Sequence, residues 1–154
     1  MRTIRKRRLE AKTDYKARLE LLKSGKPRLV IRKTSRYIIA QIVLSENAQD
    51  KVLKGFTSLS LVKKGWPKDK IGSLKSKAAA YLLGYMLAKS VQSKIKEAIL
   101  DIGMHRNIQK SRIYALVKGV IDGGLKIPAS TNSIPSIEEI KNDKISFDKI
   151  KSSI

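Results

Sequence analysis

The chain has 154 residues, 42% of them hydrophobic, which suits one domain with a real core and excludes global disorder. Lysine and arginine number 34 against 13 aspartates and glutamates, a net charge of +21, so the chain needs an anionic partner. Cysteine is absent and His105 is the one histidine, which excludes disulfides, thiolate nucleophiles and histidine or cysteine metal clusters.

Two anionic partners suit such a chain, a nucleic acid and an acidic membrane surface. Nucleic acid fits better, because its phosphates offer many charges at close spacing. The longest apolar run, Ala78 to Ala88, is too short to span a bilayer. Residues 1–8 carry Arg2, Arg5, Lys6, Arg7 and Arg8 with little to bury. They read as a basic arm that orders on its partner, not as a secretory leader.

A helix is expected from Leu9 to Lys23, where Leu9, Ala11, Tyr15, Leu19 and Leu22 recur at helical spacing. Gly25 and Pro27 end it. Two strands follow, Arg28–Lys33 and Tyr37–Leu44, joined as an antiparallel hairpin by Thr34-Ser35-Arg36. Ser45–Asp50 reads as a polar turn, and Lys51–Leu61 as a third strand with Gly55 at a bulge or a close backbone approach. In the loop Lys63–Lys70, Trp66 precedes a proline and reads as an anchor to the core.

A long helix is expected over Ser73–Lys96, apolar on all sides in its first half and therefore buried against the sheet. Glu97–Gly103 reads as a strand parallel to an earlier one. After a loop, Ser111 is placed as the N-cap of a helix over Arg112–Asp122, closed by Gly123-Gly124. From Pro128 the composition turns to Ser, Asn, Pro and Lys. A short helix at Pro135–Ile140 and a loosely packed tail are expected there. The fold class is α/β: a mixed sheet, a three-strand antiparallel meander plus one parallel strand, packed by helices. The domain layout is an arm over 1–8, an RNA-binding domain over 9–127 and a C-terminal extension over 128–154.

Three clusters carry binding chemistry. The arm is continued by Lys12, Lys16 and Arg18 on the following helix, cations that displace counterions from phosphate. The hairpin turn offers Arg32, Lys33, Thr34, Ser35, Arg36 and Tyr37: guanidinium forks and hydroxyls for phosphate or 2′-OH, and a ring for an unpaired base. The alternative is an ordinary polar turn with Tyr37 packed inward. The third cluster is His105, Arg106, Lys110, Ser111 and Arg112, just before a helix N-terminus that favours an anion. Glu97 and Asp101 raise the question of a metal-dependent nuclease, but no nucleophile–base pair or phosphate-binding glycine loop accompanies them. Asp101 has many cations nearby to pair with instead. No cofactor, metal or small-molecule substrate is expected.

The stretches RLVIRKTSRYIIAQIV, KKGWPKDKIGSLKSKAAAYLLGYMLAKS and EAILDIGMHRNIQKSRIYALVKGVIDGGLKIP resemble, in order, successive blocks of one family. It is the universal large-subunit ribosomal protein family numbered eighteen, of the archaeal and eukaryotic type. The resemblance runs from about Arg5 to Pro128. It implies an α/β domain with a mixed sheet that binds 5S rRNA and helps dock it on the central protuberance of the large subunit. It also implies 23S-type rRNA and neighbouring ribosomal proteins as partners, a cytoplasmic location on the ribosome, and no catalysis. The family's contacts fall here on Arg5–Arg8, Arg32–Tyr37 and His105–Arg112. Lys110 stands where the family pattern has glycine, and Tyr37 where it has histidine. A general basic nucleic-acid binder is the competing reading, and it predicts duplex DNA binding as strong as RNA binding.

Overall fold

The computed structural model describes residues 6–10, 12–46, 49–140 and 147–154, with 7 and 8 as backbone only. In chain order the helices are α1 (Lys6–Leu9), α2 (Tyr15–Lys23), α3 (Lys77–Val91), α4 (Arg112–Asp122), α5 (Ile137–Ile140) and α6 (Phe147–Ser152). The strands are β1 (Arg28–Lys33), β2 (Ile38–Glu46), β3 (Gln49–Thr57) and β4 (Ile99–Asp101). They form one mixed sheet in the order β3-β2-β1-β4, antiparallel except for the parallel β1–β4 pair. The expected fold class and strand relations are those observed.

The period-2 pattern of β1 and β2 sorts their side chains to two faces. Leu29, Ile31, Ile38, Ala40 and Ile42 are buried on one face, with Leu29 opposite Ile42 and Ile31 opposite Ala40. α3 packs on β2 and β3, and α4 lies along α3. Every residue of α3 from Ala78 to Ala88 is buried except Tyr85, which is half-buried, as its unbroken apolar run requires. Trp66 is buried and its indole N–H donates to the Lys70 carbonyl at 3.0 Å, so it does anchor its loop. Among the described residues, no helix is long and apolar enough to cross a membrane.

Several boundaries differ from the sequence reading for local reasons. The helix expected over Leu9–Lys23 runs only over Tyr15–Lys23, and Lys6–Leu9, mostly within the segment read as an arm, forms a separate short helix. Asp14 caps the longer one, its carboxylate accepting from the backbone N–H of Lys16 and Ala17 at 3.0 and 3.1 Å. The third strand begins at Gln49 and ends at Thr57, and Ser58–Lys64 winds as 3-10 turns. Ser45 and Asp50, expected in a turn, are partners across β2 and β3; residues 47–48 lie outside the described ones. The register shifts between Ile42 and Val43, which leaves Leu53 as the extra residue of a bulge, two positions from Gly55.

The long helix starts at Lys77, where Ser76 caps it by accepting from the Ala79 N–H, and ends at Val91, short of Lys96. β4 has three residues, Ile99–Asp101, where Glu97–Gly103 was expected. The C-terminal residues are also better packed than their composition suggests. Ile140, Phe147 and Ile150 are buried in the main core. The Phe147 ring lies 5.2 Å from that of Tyr81, and the Lys151 ammonium sits 5.2 Å from the Tyr85 ring.

Candidate nucleic-acid interface

The hairpin turn between β1 and β2 is closed by its own side chain. The Thr34 hydroxyl donates to the Tyr37 carbonyl at 2.8 Å and accepts from the Tyr37 N–H at 2.9 Å. Ser35 and Arg36 stand exposed at the tip, and Lys75 reaches across to the Ser35 carbonyl at 3.1 Å. Tyr37 is half-buried and packs against the core, the inward alternative left open by the sequence.

The loop between β4 and α4 is built as closely. Gly103 turns it in a left-handed conformation, with φ of 59°, directly over the Arg32 guanidinium, where a Cβ would come within 2.8 Å of Cζ. The Tyr114 hydroxyl donates to Asn107 at 2.6 Å. Lys110 also adopts a left-handed backbone, with φ of 53°; its N–H donates to the Ser133 carbonyl at 2.9 Å and its ammonium pairs with Glu139 at 2.7 Å. That pairing holds the Glu139 carboxyl below its usual range. Ser111 occupies the N-cap position, but its hydroxyl makes no capping bond; Oγ is shut off from solvent with no partner.

One hydrogen bond joins these two loops. The backbone N–H of Lys33 donates to His105 Nε2 at 2.9 Å. Burial, with the Lys33 and Arg32 charges adding to it, holds the imidazole pKa below its ordinary value of 6.5. His105 is therefore neutral at pH 7, as an accepting Nε2 requires. The hairpin cluster and the loop cluster, about 70 residues apart in sequence, form one basic face.

Arg32 is fixed rather than free. Its guanidinium donates to the Ile31 and Asp101 carbonyls at 2.8 and 2.9 Å and to the Asp101 carboxylate at 3.0 Å. Asp101 is buried and also pairs with the buried Arg28 at 2.8 Å. Arg28 continues to Asp50 at 2.7 Å, and Asp50 to Arg18 of α2 at 2.7 Å. Both carboxylate oxygens of Asp101 thus hold guanidinium groups, and Glu97 pairs with Lys26 at 3.0 Å. The two carboxylates that raised the nuclease question are ion-pair partners.

A hollow of about 540 Å³ lies between α2 and β4, bordered by Lys12, Arg18, Arg32 and Met104. A neighbouring one of about 460 Å³ is bordered by Lys33, Lys77, Met104, His105 and Arg112. Met104 lines both, so the two hollows adjoin; Asp14, Glu20 and Asp101 also line the first, and Lys12 pairs with Glu10 at 2.7 Å. Lys16 and Lys6 are exposed on α2 and α1 without bordering either hollow, and Arg106 is exposed at the rim of the second. Arg2 and Arg5 lie outside the described residues, as do the side chains of Arg7 and Arg8. Lys75 and Lys77 join this face although the sequence reading passed over them. Their signal was a Lys-Ser-Lys just before a helix, and only the fold brings it beside the hairpin.

Residues 1–98 and 92–130 match the family described as ribosomal large subunit proteins 60S L5 and 50S L18. The large ribosomal subunit protein uL18 of Korarchaeum cryptofilum is 44% identical over 91% of this chain and 70% of its own length. That of Thermofilum pendens is 42% identical over the same shares. That of Methanothermobacter thermautotrophicus is 39% identical over 91% of this chain and 71% of its own length. With a shared sequence of this extent, the chain belongs to the uL18 family of large-subunit ribosomal proteins, rRNA-binding and non-enzymatic.

Proposed function

We propose that the chain binds 5S rRNA and helps attach it to the central protuberance of the large subunit. The observation that carries this reading is the Lys33–His105 hydrogen bond, which merges two separate basic segments into one face. In this reading RNA is held by the arm (Arg2, Arg5, Lys6, Arg7, Arg8), by Lys12 and Lys16, by the hairpin from Arg32 to Tyr37, and by His105, Arg106, Lys110, Ser111 and Arg112. Arg32 shapes that face through Asp101 and keeps its outer edge for phosphate, its side chain being 41% exposed. The layout is an arm over 1–8, a binding domain over 9–127 and an extension over 128–154 that stays docked on the core. 23S-type rRNA and neighbouring ribosomal proteins are the further partners.

Charge alone binds any polyanion, so specificity is the test. Affinity for matched 5S rRNA, for an unrelated structured RNA and for duplex DNA is measured at rising potassium with magnesium present. The 5S rRNA is expected to retain an advantage of at least ten-fold as salt weakens all three. Equal affinities at every salt concentration would leave only a general basic binder.

A further inference from the structure

The hollow beside the hairpin combines features that phosphate binding alone does not need. Its volume of about 460 Å³ far exceeds an isolated phosphate and lies in the range of small-molecule pockets. Lys33, Lys77 and Arg112 supply positive charge. Met104, Ile108 and Ile113 supply an apolar wall. Met104 and Ile108 are 54% and 58% exposed, a degree that neither core packing nor loop anchoring explains. His105, which accepts from Lys33 at Nε2, and Ser111 also line the hollow. Among the described residues no acidic side chain lines the hollow.

We propose that this hollow receives one unpaired nucleotide turned out of the RNA. Its base lies against Met104, Ile108 and Ile113, and its phosphate sits between Lys33, Lys77 and Arg112. The inference rests on the RNA-binding reading and deepens it: the face reads an extruded nucleotide as well as a backbone. A base has an apolar face and polar edges, and single-stranded loops and bulges are where such bases are offered. An acidic peptide would match the cations but would leave the exposed methionine and isoleucine without a flat apolar partner.

The test uses the full chain and matched 5S rRNA. Dimethyl sulfate and a carbodiimide reagent probe every unpaired base in the free and bound RNA. The parent protein is expected to protect one unpaired base outside the arm's footprint, as judged against the chain lacking residues 1–8. The double variant Met104→Ala, Ile108→Ala is expected to restore reactivity at that base. It should also weaken binding roughly ten-fold without changing the salt slope, because no phosphate contact is lost. Both side chains are exposed, and an unchanged circular dichroism spectrum confirms the fold of the variant. A parent protein that binds 5S rRNA yet protects no unpaired base overturns the extruded nucleotide and leaves the RNA reading standing. Tight competition by a polyglutamate peptide that depends on Met104 and Ile108 assigns the hollow to a protein partner instead. Failure to bind 5S rRNA overturns both readings.

Discussion

Lys110 holds a backbone conformation that L-residues avoid, with φ of 53°, at a position where the family pattern carries glycine. Left-handed backbone costs a non-glycine residue about 1–2 kcal/mol, and glycine's extra freedom in the unfolded chain returns part of that. Lys110→Gly is therefore expected to leave the melting temperature unchanged or raise it by a few degrees. Lys110→Val, with a branched side chain in the same conformation, is expected to lose about 1–2 kcal/mol. A drop for the glycine variant would mean that the Glu139 ion pair matters more than the backbone. Asp50 supplies a prediction in pH. Burial raises its pKa, but hydrogen bonds from Ser45, Arg18 and Arg28 outweigh this and lower it from 3.8 to about 2. Its contribution to stability is complete above the unfolded value near 3.8 and is lost as the pH falls through about 2. Urea unfolding followed from pH 5 to pH 2 should thus show a shallower loss for Asp50→Asn than for the parent, starting from a lower plateau.

The helices of the core meet at glycines. A Cβ on Gly84 would lie 2.2 Å from the Leu116 carbonyl oxygen, and one on Gly119 would lie 2.0 Å from that of Tyr81. α3 and α4 therefore touch backbone to backbone, and neither obstacle can swing aside. Gly119→Ala must push the two helices apart and is expected to cost about 3 kcal/mol or more, read as a fall in the denaturant midpoint. Gly55 of β3 is the contrasting position. There a Cβ would meet only the Gln41 side chain, 2.9 Å away at Cγ, which can change rotamer. Gly55→Ala should cost less than a third as much. A large loss at Gly55 and a small one at Gly119 would reverse this account of which helix and strand contacts are tight.

Over the whole molecule, the +21 charge is divided between an arm and a folded face. The arm's five cations, Arg2, Arg5, Lys6, Arg7 and Arg8, can each contribute up to about 0.9 to the slope of log affinity against log salt. Deleting residues 1–8 is expected to weaken 5S rRNA binding and to flatten that slope by several units. The extruded-nucleotide variant should weaken binding without flattening it. An unchanged slope after deletion would assign the salt-dependent contacts to the folded face alone.

The sequence by itself determined the sheet and the helix types, because the short β-branched stretch Ile38–Leu44, bounded by turn residues, and the longer apolar run Ala78–Ala88 each favour one buried geometry. It also determined that the partner is anionic, and the resemblance from about Arg5 to Pro128 pointed to its family. Helix starts were less legible, since Asp14 and Ser76 act as caps through side-chain bonds that periodicity does not register. Only the tertiary structure decided how the cations are used. Arg28 and Arg32 look like any other basic residues in sequence, yet Asp101, about 70 positions away, binds both and turns them into scaffold. Met104 and His105 become neighbours of the hairpin because β4 pairs in parallel with β1 and so carries its following loop to the hairpin end of the sheet, and Lys75, just ahead of α3, reaches the Ser35 carbonyl there. Charge and hydrophobic period are properties of a segment and are read along the chain. Which cation faces RNA and which faces a carboxylate depends on long-range strand pairing, and that is settled only on folding.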